Sequence, residues 1–167
     1  ERANDAMPRR LTGATVLVLD GHERGGLQER EAPEGATLSM ASPDDVAGYE
    51  AERQDRKRRL VDGLAEAGVD VVVTRLGIDQ AYQRLLADAG IMGIRSVTPL
   101  DLAQVALATG ARRVMDPTDV TPADLGDAGT VREVRIEPYA GRRKRRRMVV
   151  FDDCRDPASV AVLLRGV

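Results

Sequence analysis

The sequence predicts an α/β domain with one long helix projecting from it. Three observations carry that expectation. Residues 68–97 (GVDVVVTRLGIDQAYQRLLADAGIMGIRSV) read as strand, helix and strand, with Gly77 and Gly90 at the junctions. A helix running from Pro43 to the glycine at Gly68 spans about 37 Å, more than a small domain buries. Its middle, Glu50 to Arg59 (EAERQDRKRR), has no apolar stripe, the pattern of a helix surrounded by solvent. A capping side chain followed by proline recurs at Ser42-Pro43, Thr98-Pro99, Asp116-Pro117 and Thr121-Pro122, each a helix or turn start.

Composition bounds the rest. At 167 residues the chain fits one domain that can bury a core without disulfides. Cys154 is the one cysteine, so no internal disulfide forms, and a reducing, cytoplasmic setting is expected. No apolar run approaches the ~20 residues of a membrane span, and the polar stretch Glu1 to Arg10 carries no leader pattern. A net charge of −2 gives no overall field that would attract nucleic acid or membrane.

Taken in order, Glu1 to Arg10 is expected to be extended or frayed. Ala14 to Leu19 (ATVLVL) is a buried-type strand ending at Asp20. Residues 21–36 hold Leu27 as their one large apolar residue, with four glycines and Pro33, so this stretch is expected to be mobile. In the long helix, Leu60, Val61, Leu64 and Ala65 dock the second half, while the first half, with Val46 and Tyr49, projects. Val69 to Val73 is a strand, Ile78 to Ala89 a helix, and Ile91 to Val97 a strand. Thr98 to Gly110 is a helix with Leu102, Val105, Ala106 and Ala108 inward, and Arg112 to Met115 a short strand. Val131 to Ile136 pairs with Met148 to Phe151 around a loop holding Arg142–Arg147, and Val160 to Leu164 is a terminal apolar run.

Catalytic chemistry is thin. His22 is the one histidine and sits in the loose stretch, a poor place for a base that must be positioned. Zinc needs three or four ligands, and His22 with Cys154 do not supply them. Gly25-Gly26 lacks the Gly-Lys-Ser/Thr of a phosphate loop. Asp152 and Asp153 are neighbours, and neighbouring strand residues face opposite ways, so they read as turn or edge residues. Cys154 reads as a small buried hydrophobe. The run Arg142–Arg147 has no interleaved aromatics and reads as a solvated hairpin tip.

Five segments, in order and with fitting spacing, resemble the apical domain of a group II chaperonin subunit, the thermosome and TCP-1 ring family. They are Met7-Pro8-Arg9-Arg10 leading to Leu19-Asp20; Ser42-Pro43; Gly77-Ile78-Asp79 with Gly90-Ile91; Ala108-Thr109-Gly110-Ala111-Arg112; and Asp119 with Thr121 to Gly126. Cys154, Asp156-Pro157 and Leu163-Leu164-Arg165-Gly166 close the match.

The resemblance implies a single apical domain over residues 1–167, a β-sandwich core flanked by helices, with residues 21–54 as a helical protrusion acting as a built-in lid. It implies binding of unfolded polypeptide on the outward side of the helix Ile78–Ala89. Helical spacing sends Ile78, Ala81, Tyr82, Leu85, Leu86 and Ala89 inward. That leaves Gln80, Gln83, Arg84 and Ala87 outward, with Asp79 and Asp88 at the edges. The apolar residues of the implied lid are Leu27, Leu38, Met40, Val46 and Tyr49. In the family, ATP, Mg and the catalytic aspartates belong to the equatorial and intermediate domains, so this chain is expected to hold no cofactor or metal and to catalyse nothing. The implied partners are unfolded client polypeptides and sister subunits in a double ring. The alternatives are an apical-like module in another protein, or a nucleic-acid binder using the Arg142–Arg147 loop.

Overall fold

The computed structural model describes residues 2–21, 26–28, 43–136 and 146–156. Strand β1 (Arg10–Leu19) is the axis of its sheet. Val16, Leu17, Val18 and Leu19 are fully buried, so this strand is apolar on both faces. Such a run forms where helices cover both sides of a sheet. Three parallel strands follow: β2 (Val71–Thr74), β3 (Met92–Ile94) and β4 (Arg113–Val114). β2 lies against β1 and β3 against β2, while β4 pairs with the last residues of β1 on its other edge.

Helices α1 (Pro43–Glu66), α2 (Gln80–Asp88) and α3 (Pro99–Thr109) make the crossovers. The first core joins Leu17, Leu19 and Val72 to Val61 and Leu64 of α1 and to Tyr82 and Leu86 of α2. The second joins Val16, Val18, Val71 and Val73 to Leu102 and Ala106 of α3. Thus α1 and α2 cover one face and α3 the other. Two 3-10 turns, Pro117–Asp119 and Pro122–Asp124, lead into β5 (Gly126–Ile136) and β6 (Arg146–Cys154).

β5 runs antiparallel to β1, from Arg10↔Arg132 to Val16↔Gly126, and β6 runs antiparallel to β5. The described strands therefore form one mixed sheet of six, where a sandwich was expected. The reason is that β1 is paired on both edges, which fuses the parallel and antiparallel halves.

The sheet is also creased. Gly13, Gly129 and Asp153 fall on one cross-strand row, between the row of Ala14, Ala128 and Cys154 and the row of Thr12, Thr130 and Asp152. Gly13 has φ +60° and Asp153 φ +52°, a left-handed conformation that glycine and, less readily, aspartate adopt. A Cβ on Gly129 would lie 2.6 Å from that of Asp153. Across this row the side-chain alternation changes phase. Ala128 and Val131, three residues apart, pack into the same second core, as do Cys154 and Phe151 at its margin. The sheet thereby curls around that core.

Several expectations change. The amino-terminal segment is anchored, not frayed. Arg2 is buried, its Nε 3.1 Å from Glu133 Oε2, and its Nη1 donates to the carbonyls of Asn4, Asp5 and Met7. Lys57 is buried within the stretch of α1 read as wholly solvated. In α3, Thr109 joins Leu102 and Ala106 in the interior, its hydroxyl donating to the Val105 carbonyl at 2.7 Å. Arg146 and Arg147 belong to β6, not to a hairpin tip, and Arg147 pairs with Asp5 at 2.6 Å. His22, Leu38, Met40, Arg142–Arg145 and Val160–Leu164 lie outside the described residues. Among the described residues no helix is long and apolar enough to cross a membrane.

Candidate functional site

The candidate surface is built on α2 and the helix beside it. Asp79 starts α2 because its carboxylate can accept the otherwise unpaired amides of a first turn. Asp79 Oδ1 accepts from the Tyr82 amide at 2.9 Å. Its Oδ2 accepts from Lys57 Nζ of α1 at 3.0 Å. Its own amide donates to the Leu27 carbonyl at 2.8 Å, and the Leu27 amide donates to Gly77 at 3.2 Å. One residue thus ties α1, α2 and the segment at Leu27 together. The Lys57 ammonium also lies 5.5 Å from the centre of the Tyr82 ring, a cation–π placement.

The rotation of α2 differs from the expected one. Tyr82, Gln83 and Leu86 are its buried residues. The Gln83 amide nitrogen donates to the Ile78 carbonyl at 2.7 Å within the interior. Gln83 therefore does not face outward. A buried carbonyl without a partner is costly, and Gln83 supplies the partner. Ala87 is half-buried against the first core, while Ala89, expected inward, is exposed. Gln80, Arg84 and Asp88 are exposed and share the outward side, and Asp79 is half-buried at the cap.

The expected lid residues separate as well. Leu27 is buried in the first core beside Ile78. It packs there because the segment around it bridges to Ile78 as a short strand would. Residues 43–52 of α1 are all exposed, including Val46 at 45% and Tyr49 at 39%. Arg53 lies 5.5 Å from the centre of the Tyr49 ring and pairs with Glu50. Helix α1 therefore has a docked half, beginning at Lys57, and an exposed half before it.

Two features were missed from the sequence. Lys57 is one of two lysines in the chain and lies in register with Leu60, Val61 and Leu64, a signal that its charge concealed. On the opposite side of the sheet, α3 exposes Leu100 at 69% and Leu107 at 65%. They lie seven residues apart, so they share one stripe. A shallow depression of about 360 Å3 lies beside Leu107, lined by Ala103, Ala106, Gly110, Ala111 and Arg113.

Among the described residues no group of three or more His, Cys, Asp or Glu side chains is placed to hold a metal. Burial raises the Cys154 thiol above its ordinary range, and the charges of Asp152 and Asp153 add to that. A thiol shifted this way is a poor nucleophile near neutrality. Asp152 accepts from Arg132 Nε at 2.8 Å on the outer strand β6.

The family model described as the TCP-1/cpn60 chaperonin family matches residues 1–167. The chain is 34% identical over 166 residues to thermosome subunit alpha of Archaeoglobus fulgidus, covering 99% of this chain and 28% of the relative. It is 32% identical over 166 residues to thermosome subunit beta of Thermococcus kodakarensis, with the same coverage of 99% and 28%. Over 167 residues it is 34% identical to thermosome subunit beta of Desulfurococcus mucosus, covering 99% of this chain and 31% of that relative. The chain thus spans less than a third of the length of these relatives. Its fold resembles an open-state monomer of a group II chaperonin from Methanococcoides burtonii, with a TM-score of 0.66 and 23% identity over 93% of this chain and 30% of that one.

Proposed function

The chain belongs to the TCP-1/cpn60 chaperonin family, and we propose that it is the apical domain of a group II chaperonin subunit, binding unfolded polypeptide. On this reading residues 1–167 are one domain, and residues 21–54 are the protrusion that closes over the cavity. The chain itself catalyses nothing. ATP and Mg bind parts of the full-length subunit outside it, sister subunits complete a ring, and the assembly works in the cytoplasm.

The observation that carries the reading is the pairing of two exposed helical surfaces on one side of the sheet. The exposed half of α1 holds Val46 and Tyr49, and the exposed side of α2 holds Gln80, Arg84 and Asp88. Asp79 joins them at their base. The α2 surface is polar, so each contact with a client is weak, and affinity comes from several subunits acting together. Arg84 is the central contact, because its stem offers apolar surface and its guanidinium pairs with acidic side chains.

A second reading rests on α3, whose Leu100 and Leu107 are the more apolar exposed surface. The test is the double substitution Gln80→Glu with Arg84→Glu in a full-length subunit. Ring assembly is expected to survive while capture of an unfolded client falls. Unchanged capture would remove α2 as the client surface and favour Val46 and Tyr49 or the α3 stripe.

A further inference from the structure

Lys57 occupies a singular place in α1. It is the first residue of the docked half, since Val61 and Leu64 are the other buried positions and residues 54–56 are exposed. Any swing of the exposed half must therefore pivot at or next to it. Its side chain is only 10% exposed, and its ammonium is bound to the carboxylate of Asp79, whose side chain is 24% exposed. A charge-assisted bond between partly desolvated groups is directional and strong, and removing one partner leaves the other charge uncompensated.

That carboxylate is not a passive acceptor. Its other oxygen caps α2, and its backbone amide donates to the carbonyl of Leu27, a buried residue of the connection between β1 and α1. Leu27 belongs to the connection between β1 and α1, and α1 is docked from Lys57 onward. Leu27 and Lys57 therefore meet at Asp79, the N-cap of the candidate client helix.

We propose that Lys57 is a positioning residue whose bond to Asp79 couples the exposed half of α1 to α2, so that the two surfaces keep one mutual orientation. The functional part of this proposal rests on the reading of α2 as the client surface; the mechanical part does not. With the bond intact, a force that tilts the exposed half of α1 is delivered to the cap of α2. With it broken, α1 pivots at its Val61 contact and α2 keeps its place.

The test uses full-length subunits with Cys154→Ala, carrying spin labels at Ala47→Cys and Ala89→Cys, both exposed positions. Labelled subunits are diluted with unlabelled ones so that distances within one subunit are read. Lys57→Met keeps the stem over Tyr82 and removes the charge. Asp79→Asn keeps the cap, because asparagine caps helices as well as aspartate does, and removes the partner charge. Each is expected to broaden the distance distribution, and the double variant to broaden it no further than either alone, the signature of one shared interaction. Lys57→Arg restores a cation and is expected to narrow the distribution again. Client capture is expected to fall in the broadened variants while ATP hydrolysis by the ring is retained. An unchanged distribution in Lys57→Met, or additive broadening in the double variant, overturns the coupling. Broadening with full client capture supports the coupling and instead removes α2 as the client surface.

Discussion

Helices α2 and α3 are built alike and exposed differently. Each follows a short parallel strand and covers one face of the sheet. Each is capped by a side-chain oxygen, from Asp79 and from Thr98, and each is followed by a glycine of positive φ, Gly90 and Gly110. Yet α2 shows solvent Gln80, Arg84 and Asp88 and buries a glutamine, whereas α3 shows solvent Leu100 and Leu107. Judged by apolar exposure alone, α3 is the stickier surface. Folded proteins leave much apolar area in water, so two exposed leucines do not by themselves mark a site. The helix that shares a joint with the exposed half of α1 is α2, through Lys57 and Asp79. Connection distinguishes the two helices better than hydropathy does.

The largest expected effect makes the two helices equal. Leu86 in α2 and Leu102 in α3 are both fully buried. Leu86→Ala and Leu102→Ala are each expected to cost about 3 kcal/mol, read from urea unfolding of the purified protein. A cost below about 1 kcal/mol at either position would mean that its helix is not seated in a packed core.

A smaller effect separates them. Thr98→Ala removes a cap whose neighbour Asp101 is exposed, and is expected to cost about 1 kcal/mol. Asp79→Ala removes a cap and also strands Lys57, so it is expected to cost more, about 2 kcal/mol. Equal costs in urea unfolding would show that the Lys57 bond adds nothing to the cap, and would erase the distinction drawn between the helices.

The sequence makes this comparison only half visible. The starts of α1 and α3 are legible because Ser42-Pro43 and Thr98-Pro99 combine a capping oxygen with a proline that suits the first turn. The parallel strands are legible because Val16 to Leu19 and Val71 to Val73 are apolar without alternation. Of the candidate surface, Gln80, Arg84 and Asp88 are legible from helical spacing. Gln83 is not, because polarity sends it outward in any periodic reading while the Ile78 carbonyl draws it in. Lys57 is hidden for the same reason, its partner lying 22 residues away in sequence. The single sheet is hidden too, because the double pairing of β1 and the crease at Gly13, Gly129 and Asp153 are long-range facts that no local pattern encodes.

The central claim is that clients meet the protein on α2 and not on α3. A photo-crosslinking amino acid placed at Arg84 or at Leu107 in a full-length subunit, illuminated with an unfolded client bound, tests it directly. Both positions are exposed, so neither substitution disturbs a core. The account predicts client adducts from position 84 and only background from position 107. Adducts from position 107 with none from position 84 would contradict it.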